Sequence, residues 1–153
     1  MRQGPKRRLI WARTLFTNLA VAETGTSVDL LSTFEAAYSA DLIGVTVVRI
    51  IGELQWEFTA DPSRAIVGIM KGSETLDNDD LAPTTNLHLD WMYWSAVTGL
   101  AQGAGTAAHQ SFDLRGMRKI DELTETLWWV ADRTAGAGVA AVAGAISVLV
   151  KLP

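Results

Sequence analysis

Two short runs of carboxylates are the first places where this sequence could do chemistry. Asp77, Asp79 and Asp80 stand together in "LDNDDL", and closely spaced carboxylates present hard oxygen ligands to calcium. The run lacks the register of a calcium-binding loop and its closing glutamate, so a solvated acidic loop is the plainer reading. Asp121, Glu122 and Glu125 in "DELTET" suggest an acid and base pair. Glycoside-type catalysis needs two carboxylates held across a cleft in different environments, and adjacency in sequence does not supply that; a turn or strand edge does equally well. His88 and His109 lie in separate segments without the spacing that places two imidazoles on one metal. The chain has no cysteine, which removes disulfides, thiolate metal sites and a cysteine nucleophile. The glycine-rich "GAGTAAH" lacks the Lys and Ser/Thr of a phosphate loop and reads as a flexible connection. The expectation is a protein without catalytic residues, metal or cofactor.

The basic residues are distributed more tellingly. In "RQGPKRRLIWARTLFT", residues 2–17, five of the chain's 13 basic residues precede the first acidic one, Glu23, and the other 8 face 17 acidic side chains. Arg2, Lys6, Arg7 and Arg8 form a short arm that Gly4 and Pro5 let leave the body in extended form. A frayed, solvated terminus is the simpler account. The functional one is contact with nucleic-acid phosphate or with an acidic inner surface of an assembly, dependent on salt and carrying little sequence readout. Residues 1–8 are therefore read as a basic N-terminal arm and 9–153 as a single β domain.

The six tryptophans are many for this length. Trp128 and Trp129 are consecutive, as are Tyr93 and Trp94, so in a strand each pair points to opposite faces. A sheet with both faces apolar needs cover on each, and neighbouring subunits would supply it. Trp11, Trp91, Tyr93, Trp94, Trp128 and Trp129 are the expected subunit interface, and the chain is expected to be a homo-oligomer. The acidity of the body argues against a broad platform for stacked nucleobases.

The elements that must position these groups read mainly as strands. "VTVVRIIGELQWEF", residues 45–58, alternates Thr46, Val48, Ile50, Gly52, Leu54, Trp56 and Phe58 against Arg49, Glu53, Gln55 and Glu57, a period of two. Its length predicts a bulge or bend at Gly52. Strands are also predicted over 9–16, 64–72, 89–97, 124–133 and 145–152, with 138–144 a further strand or a hairpin arm. One helix is expected, over 27–42, capped by Ser27 or Asp29 and facing inward through Leu30, Leu31, Phe34, Ala37 and Tyr38. Segments 72–86 and 98–111 read as loops, and 114–123 fits either strand or short helix. The fold class that follows is mainly β: an antiparallel jelly-roll-like sandwich or barrel with one short helix. An OB-like or tail-tube-like barrel is the alternative. Residues 135–150 are uncharged, but their length and Ala, Gly and Val content fall short of the roughly 20 apolar residues of a membrane span, so no membrane association is expected.

The order of "WAR" after a basic arm, "VDLL", "GVTVVRIIGELQW", "DWMYW", "RGMRKIDELTETL" and a terminal "SVLVKLP" resembles small phage virion structural proteins of capsid or cement type, along nearly the whole chain. The resemblance implies a location in the virion and a coat role. The subunit would self-assemble into a shell with other virion proteins as partners, its arm turned to packaged nucleic acid or the inner shell. A capsid decoration or tail-tube protein is a second expectation. A small carbohydrate- or ligand-binding β sandwich, with Trp91, Tyr93 and Trp94 as its platform, is a third.

Overall fold

The structure is a computed structural model, and it describes residues 8–22, 25–38, 42–59, 63–72, 90–99, 106–122, 125–133 and 140–153. Among the described residues eight strands and one helix follow in the order β1 (Leu9–Val21), β2 (Thr26–Asp29), α1 (Ser32–Tyr38), β3 (Thr46–Phe58), β4 (Ser63–Gly72), β5 (Asp90–Gly99), β6 (Thr106–Lys119), β7 (Thr126–Arg133) and β8 (Ala140–Lys151). They form two four-stranded sheets. Sheet A has the order β1-β8-β3-β6 and sheet B the order β2-β7-β4-β5. All pairings are antiparallel. The partners β1 with β8, β2 with β7, β3 with β6 and β4 with β5 describe one long hairpin rolled up on itself, which is the jelly roll.

The core lies between the sheets. Sheet A contributes Phe16, Val47, Ile50, Leu54, Trp56, Phe58, Ile146 and Val148, and sheet B contributes Ala65, Val67, Ile69, Leu127, Trp129 and Ala131, all in one cluster. The alternation read in β3 holds from Ile50 to Phe58, with Arg49, Glu53 and Gln55 on the opposite face. Before Ile50 it changes phase: Val47 is fully buried, where the sequence pattern placed Thr46 and Val48. The cause is a register shift between Val47 and Arg49 in both ladders of β3. The irregularity therefore sits at Val48 and not at Gly52. Gly52 serves packing instead, because a side chain there would overlap the ring of its cross-strand neighbour Phe112.

Three other expectations change. The predicted helix over 27–42 is cut short, since Thr26–Asp29 pairs with β7 and α1 begins at Ser32. An open sheet edge outcompetes local helix propensity. Asp29 still organises the helix start: its Oδ1 accepts hydrogen bonds from the Leu31 N–H and the Thr126 hydroxyl, both at 2.8 Å. Leu30, Leu31 and Phe34 are buried in the core cluster, whereas Ala37 is exposed. The expected loop 98–111 becomes strand from Thr106, and the ambiguous 114–119 belongs to that same strand. Residues 140–151 form one continuous strand, so 140–144 is not the arm of a separate hairpin.

At the margin of the sandwich one polar side chain ties the sheets together. Gln110 of β6 is 7% exposed; its Oε1 accepts from Trp56 Nε1 at 3.1 Å, and its Nε2 donates to the Tyr93 hydroxyl on β5 at 3.3 Å. Gln110→Leu should cost about 1–3 kcal/mol, because it leaves the buried Trp56 N–H without a partner. Urea denaturation monitored by tryptophan fluorescence measures this; a loss below about 0.5 kcal/mol would show that water replaces the glutamine.

Candidate assembly surface

The outer face of sheet A is built by the residues that alternate with the core. Register fixes them in rows across three strands. The first row is Trp11, Leu149 and Arg49, the second Arg13, Ser147 and Ile51, and the third Leu15, Ala145 and Glu53. Leu9, Trp11 and Leu15 are exposed by 55%, 48% and 66%, while Leu149 and Ile51 are half-buried. An apolar stripe thus runs along the edge strand β1 and continues inward across β8 to β3, on a face that the described residues leave open. Scattered exposed leucines need no account, but exposed apolar side chains gathered in neighbouring rows of one sheet face make it a candidate contact surface.

Charge on this face is polarised along the strands. Lys151 and Lys119 lie in the row of Leu9 and Thr46, with Arg49 and Arg115 next, whereas Glu53 and Glu57 lie toward the other end. Asp113 accepts two hydrogen bonds from Arg49, at 2.8 and 2.7 Å, and Arg115 approaches it at 3.6 Å. Those hydrogen bonds, more than the neighbouring positive charges, hold the Asp113 carboxyl below its ordinary range. The group is exposed, so the pair orients the guanidinium and adds little stability. Glu53 in turn meets His109 at 3.1 Å.

The residues singled out by sequence are dispersed. Arg2, Lys6 and Arg7 lie outside the described residues; Arg8 is exposed and its carbonyl accepts from the Leu152 N–H at 3.0 Å. Arg8 therefore joins sheet A at the basic end of that sheet. Trp11 lies on the outer face of sheet A. Tyr93 is half-buried and turned inward, its ring stacked on Phe112 at 4.8 Å. Trp128 is half-buried on the far face of sheet B, where it packs with Met70, Val130 and Ile66 and donates to the Gly72 carbonyl at 3.2 Å. The side chains of Trp91 and Trp94 lie outside the described residues. Trp129 corrects the expected interface: it is fully buried within the single chain, edge-on to Phe16 at 4.9 Å and beside Trp56 at 6.1 Å, so it presents nothing to a neighbour. Leu15, Ile51, Leu149, Arg49 and Glu53 were not singled out. Large apolar side chains on both faces of 9–16 hinted at the first, but only the register gathers the others.

The carboxylate run 121–125 has a structural explanation. Glu125 Oε2 accepts from the backbone N–H groups of Asp121 and Glu122 at 2.9 and 3.1 Å. Lys71 Nζ lies 3.5 Å from both Glu125 and Asp121 and donates to the Lys119 carbonyl at 3.0 Å. These contacts tie the β6–β7 connection to β4. The run 77–80 and His88 lie outside the described residues. Among the described residues no group of three or more metal-ligating side chains comes together, and no helix is long and apolar enough to cross a membrane.

No family model matches the chain, and no curated protein does. Solved structures do show likeness. One of Desmodium yellow mottle tymovirus aligns over 100% of this chain and 93% of its own, with 11% identity and a TM-score of 0.44. One of turnip yellow mosaic virus aligns over 96% and 83%, with 12% identity and a TM-score of 0.45. One of the Gx strain of infectious bursal disease virus aligns over 95% of this chain but 32% of its own, with 15% identity and a TM-score of 0.40. At these scores the jelly roll rests on the strand order of this chain itself.

Proposed function

We propose that this chain is a capsid structural protein, a jelly-roll subunit that self-assembles into a shell with its basic arm turned toward the packaged genome or the inner shell. The observation that carries this reading is the collection of positive charge about the start of β1. Arg2, Lys6, Arg7 and Arg8 lead into sheet A, whose strands hold Arg13, Arg49, Arg115, Arg118, Lys119 and Lys151. That leaves Arg64, Lys71 and Arg133 of the chain's 13 basic residues to the strands of sheet B. A domain of net charge −4 that gathers its cations at one end has one side suited to polyanions and another that repels them. The jelly roll also serves ligand-binding proteins; the apolar stripe beside the arm favours assembly over a sugar platform, because one face of Tyr93 is covered by Phe112.

On this reading the chain belongs in the virion, with copies of itself and other virion proteins as partners and no reaction to catalyse. Deleting residues 1–8 should leave the fold intact and abolish most nucleic-acid uptake. Each lost phosphate contact should lower the salt slope of oligonucleotide binding by about 0.7–0.9. Electron microscopy of assembled particles together with the 260/280 nm absorbance ratio tests both parts. Particles that package as much nucleic acid without the arm would remove its genome role. A monodisperse small species at all salt concentrations would remove the shell.

A further inference from the structure

We infer that two copies of this chain pack face to face through the outer surface of sheet A, about a two-fold axis that runs across the strands along the row Arg13–Ser147–Ile51. This deepens the assembly reading by naming one contact between copies. The register carries it. One row to one side of Ile51 stand Trp11, Leu149 and Arg49; one row to the other side stand Leu15, Ala145 and Glu53. The face is thus symmetric in apolar character about that row and opposite in charge.

An axis lying in the plane of contact and running across the strands exchanges the two flanking rows. It lays Trp11 of one copy over Leu15 of the other, Leu149 over Ala145, Ile51 over Ile51, and Arg49 over Glu53 twice. Isologous contact requires this kind of self-complementarity. An axis along β3 would instead set Arg49 against Arg49 and Glu53 against Glu53, and one along β8 would set Arg49 over Trp11 and Glu53 over Leu15. Arg13 on β1 and Asp113 on β6, the two ends of the axis row, meet their own copies at the rim, where water screens them, and Arg49 already has its guanidinium oriented by Asp113.

The size of the face fits as well. Strands of 12–14 residues, as in β1, β3, β6 and β8, are about 40 Å long, and four of them span about 20 Å. Arg13 stands four residues from the start of β1 and Ser147 four from the end of β8, so two copies related by this axis overlap over about 30 Å of strand and about 600 Å² each, the lower end of what one partner contributes to a stable specific interface. Leu9 and Trp11 would be covered together with Leu15, which answers why an edge strand keeps them exposed in the single chain.

The test uses the full chain and charge reversal. Arg49→Glu and Glu53→Arg should each weaken dimerisation at least tenfold in sedimentation equilibrium, because each places like charges opposite one another twice. Mixed in equal amounts, the two variants should recover a heterodimer near wild-type affinity, since both pairs between positions 49 and 53 are then complementary. A variant that had merely lost its fold could not do this. The absence of cysteine makes Ile51→Cys a unique handle on the axis. Two such residues across sheets about 10 Å apart should be joined by a short bismaleimide, whereas Ser32→Cys should not.

Wild-type dimerisation unchanged in both variants, or a mixture that fails to recombine, would overturn the inference. A monomeric wild type whose arm-deleted form binds an oligonucleotide with quenching of Trp11 would also overturn it, and assign the face to nucleic acid. Dimers that cross-link at Ile51→Cys without forming particles would sustain this interface while removing the shell. Particles that form as readily from Arg49→Glu as from wild type would do the reverse.

Discussion

Gly144→Ala is expected to destabilise the protein by about 3–5 kcal/mol, a large share of the roughly 5–15 kcal/mol that holds a domain of ordinary stability together. Gly144 has φ +134°, a backbone region that costs a side-chain-bearing residue about 1–3 kcal/mol. A methyl group there would also overlap the carbonyl oxygen of Glu53 on the neighbouring strand. That obstacle is main chain within a ladder, so it cannot rotate away as a side chain would, and overpacking adds about 1–3 kcal/mol. The site is a bend shared by two strands. The register of β1 against β8 shifts between Phe16 and Leu19, beside Gly144, and Asn18 in that gap has φ +50°. Equilibrium unfolding in urea is the measurement, with Ala143→Ser on the exposed face as a control expected to stay within about 0.5 kcal/mol of wild type. Equal stability of Gly144→Ala and wild type would mean that β1, β8 and β3 pair in another register, and the surface rows built on that register would fall with it.

The second large effect separates two adjacent tryptophans. Trp129→Ala should cost about 3–5 kcal/mol, because the indole fills the space between the sheets against Phe16 on β1 and Trp56 on β3. Its Nε1 finds no hydrogen-bond partner among the described residues. Trp128→Ala should cost about 1–2 kcal/mol, since that ring lies half-buried on the far side of sheet B and loses one bond to the Gly72 carbonyl. Denaturation midpoints of the two variants, measured under one set of conditions, decide the matter. A larger loss at Trp128 than at Trp129 would place the wrong face of β7 inward.

Several features followed from local pattern. The alternation Ile50, Leu54, Trp56, Phe58 named the inward side of β3 because a strand has a period of two and one face meets the core. The same rule showed that Trp128 and Trp129 must part company, but not which one goes inside. That choice depends on which face of β7 meets sheet A. The parity error at Thr46 and Val48 has a similar origin: one extra residue at a bulge reverses every side chain beyond it, and nothing in "VTVVR" marks where it falls. For Thr26–Asp29 the local signal was right about Asp29 as an organiser of the helix start. It missed the strand because the partner that claims this segment, β7, lies about 100 residues further on.

By itself, then, the sequence determined the mainly β character, the single short helix, the absence of cysteine chemistry and the concentration of basic residues ahead of β1. These depend on composition and on contacts between near neighbours. The tertiary structure alone decided the jelly-roll order, the burial of Trp129, the structural use of Glu125, and the outer face where Trp11, Leu149 and Arg49 lie one row from Leu15, Ala145 and Glu53. Each of those depends on pairing between distant segments, and strand register couples residues through backbone hydrogen bonds that are nearly the same for every side chain.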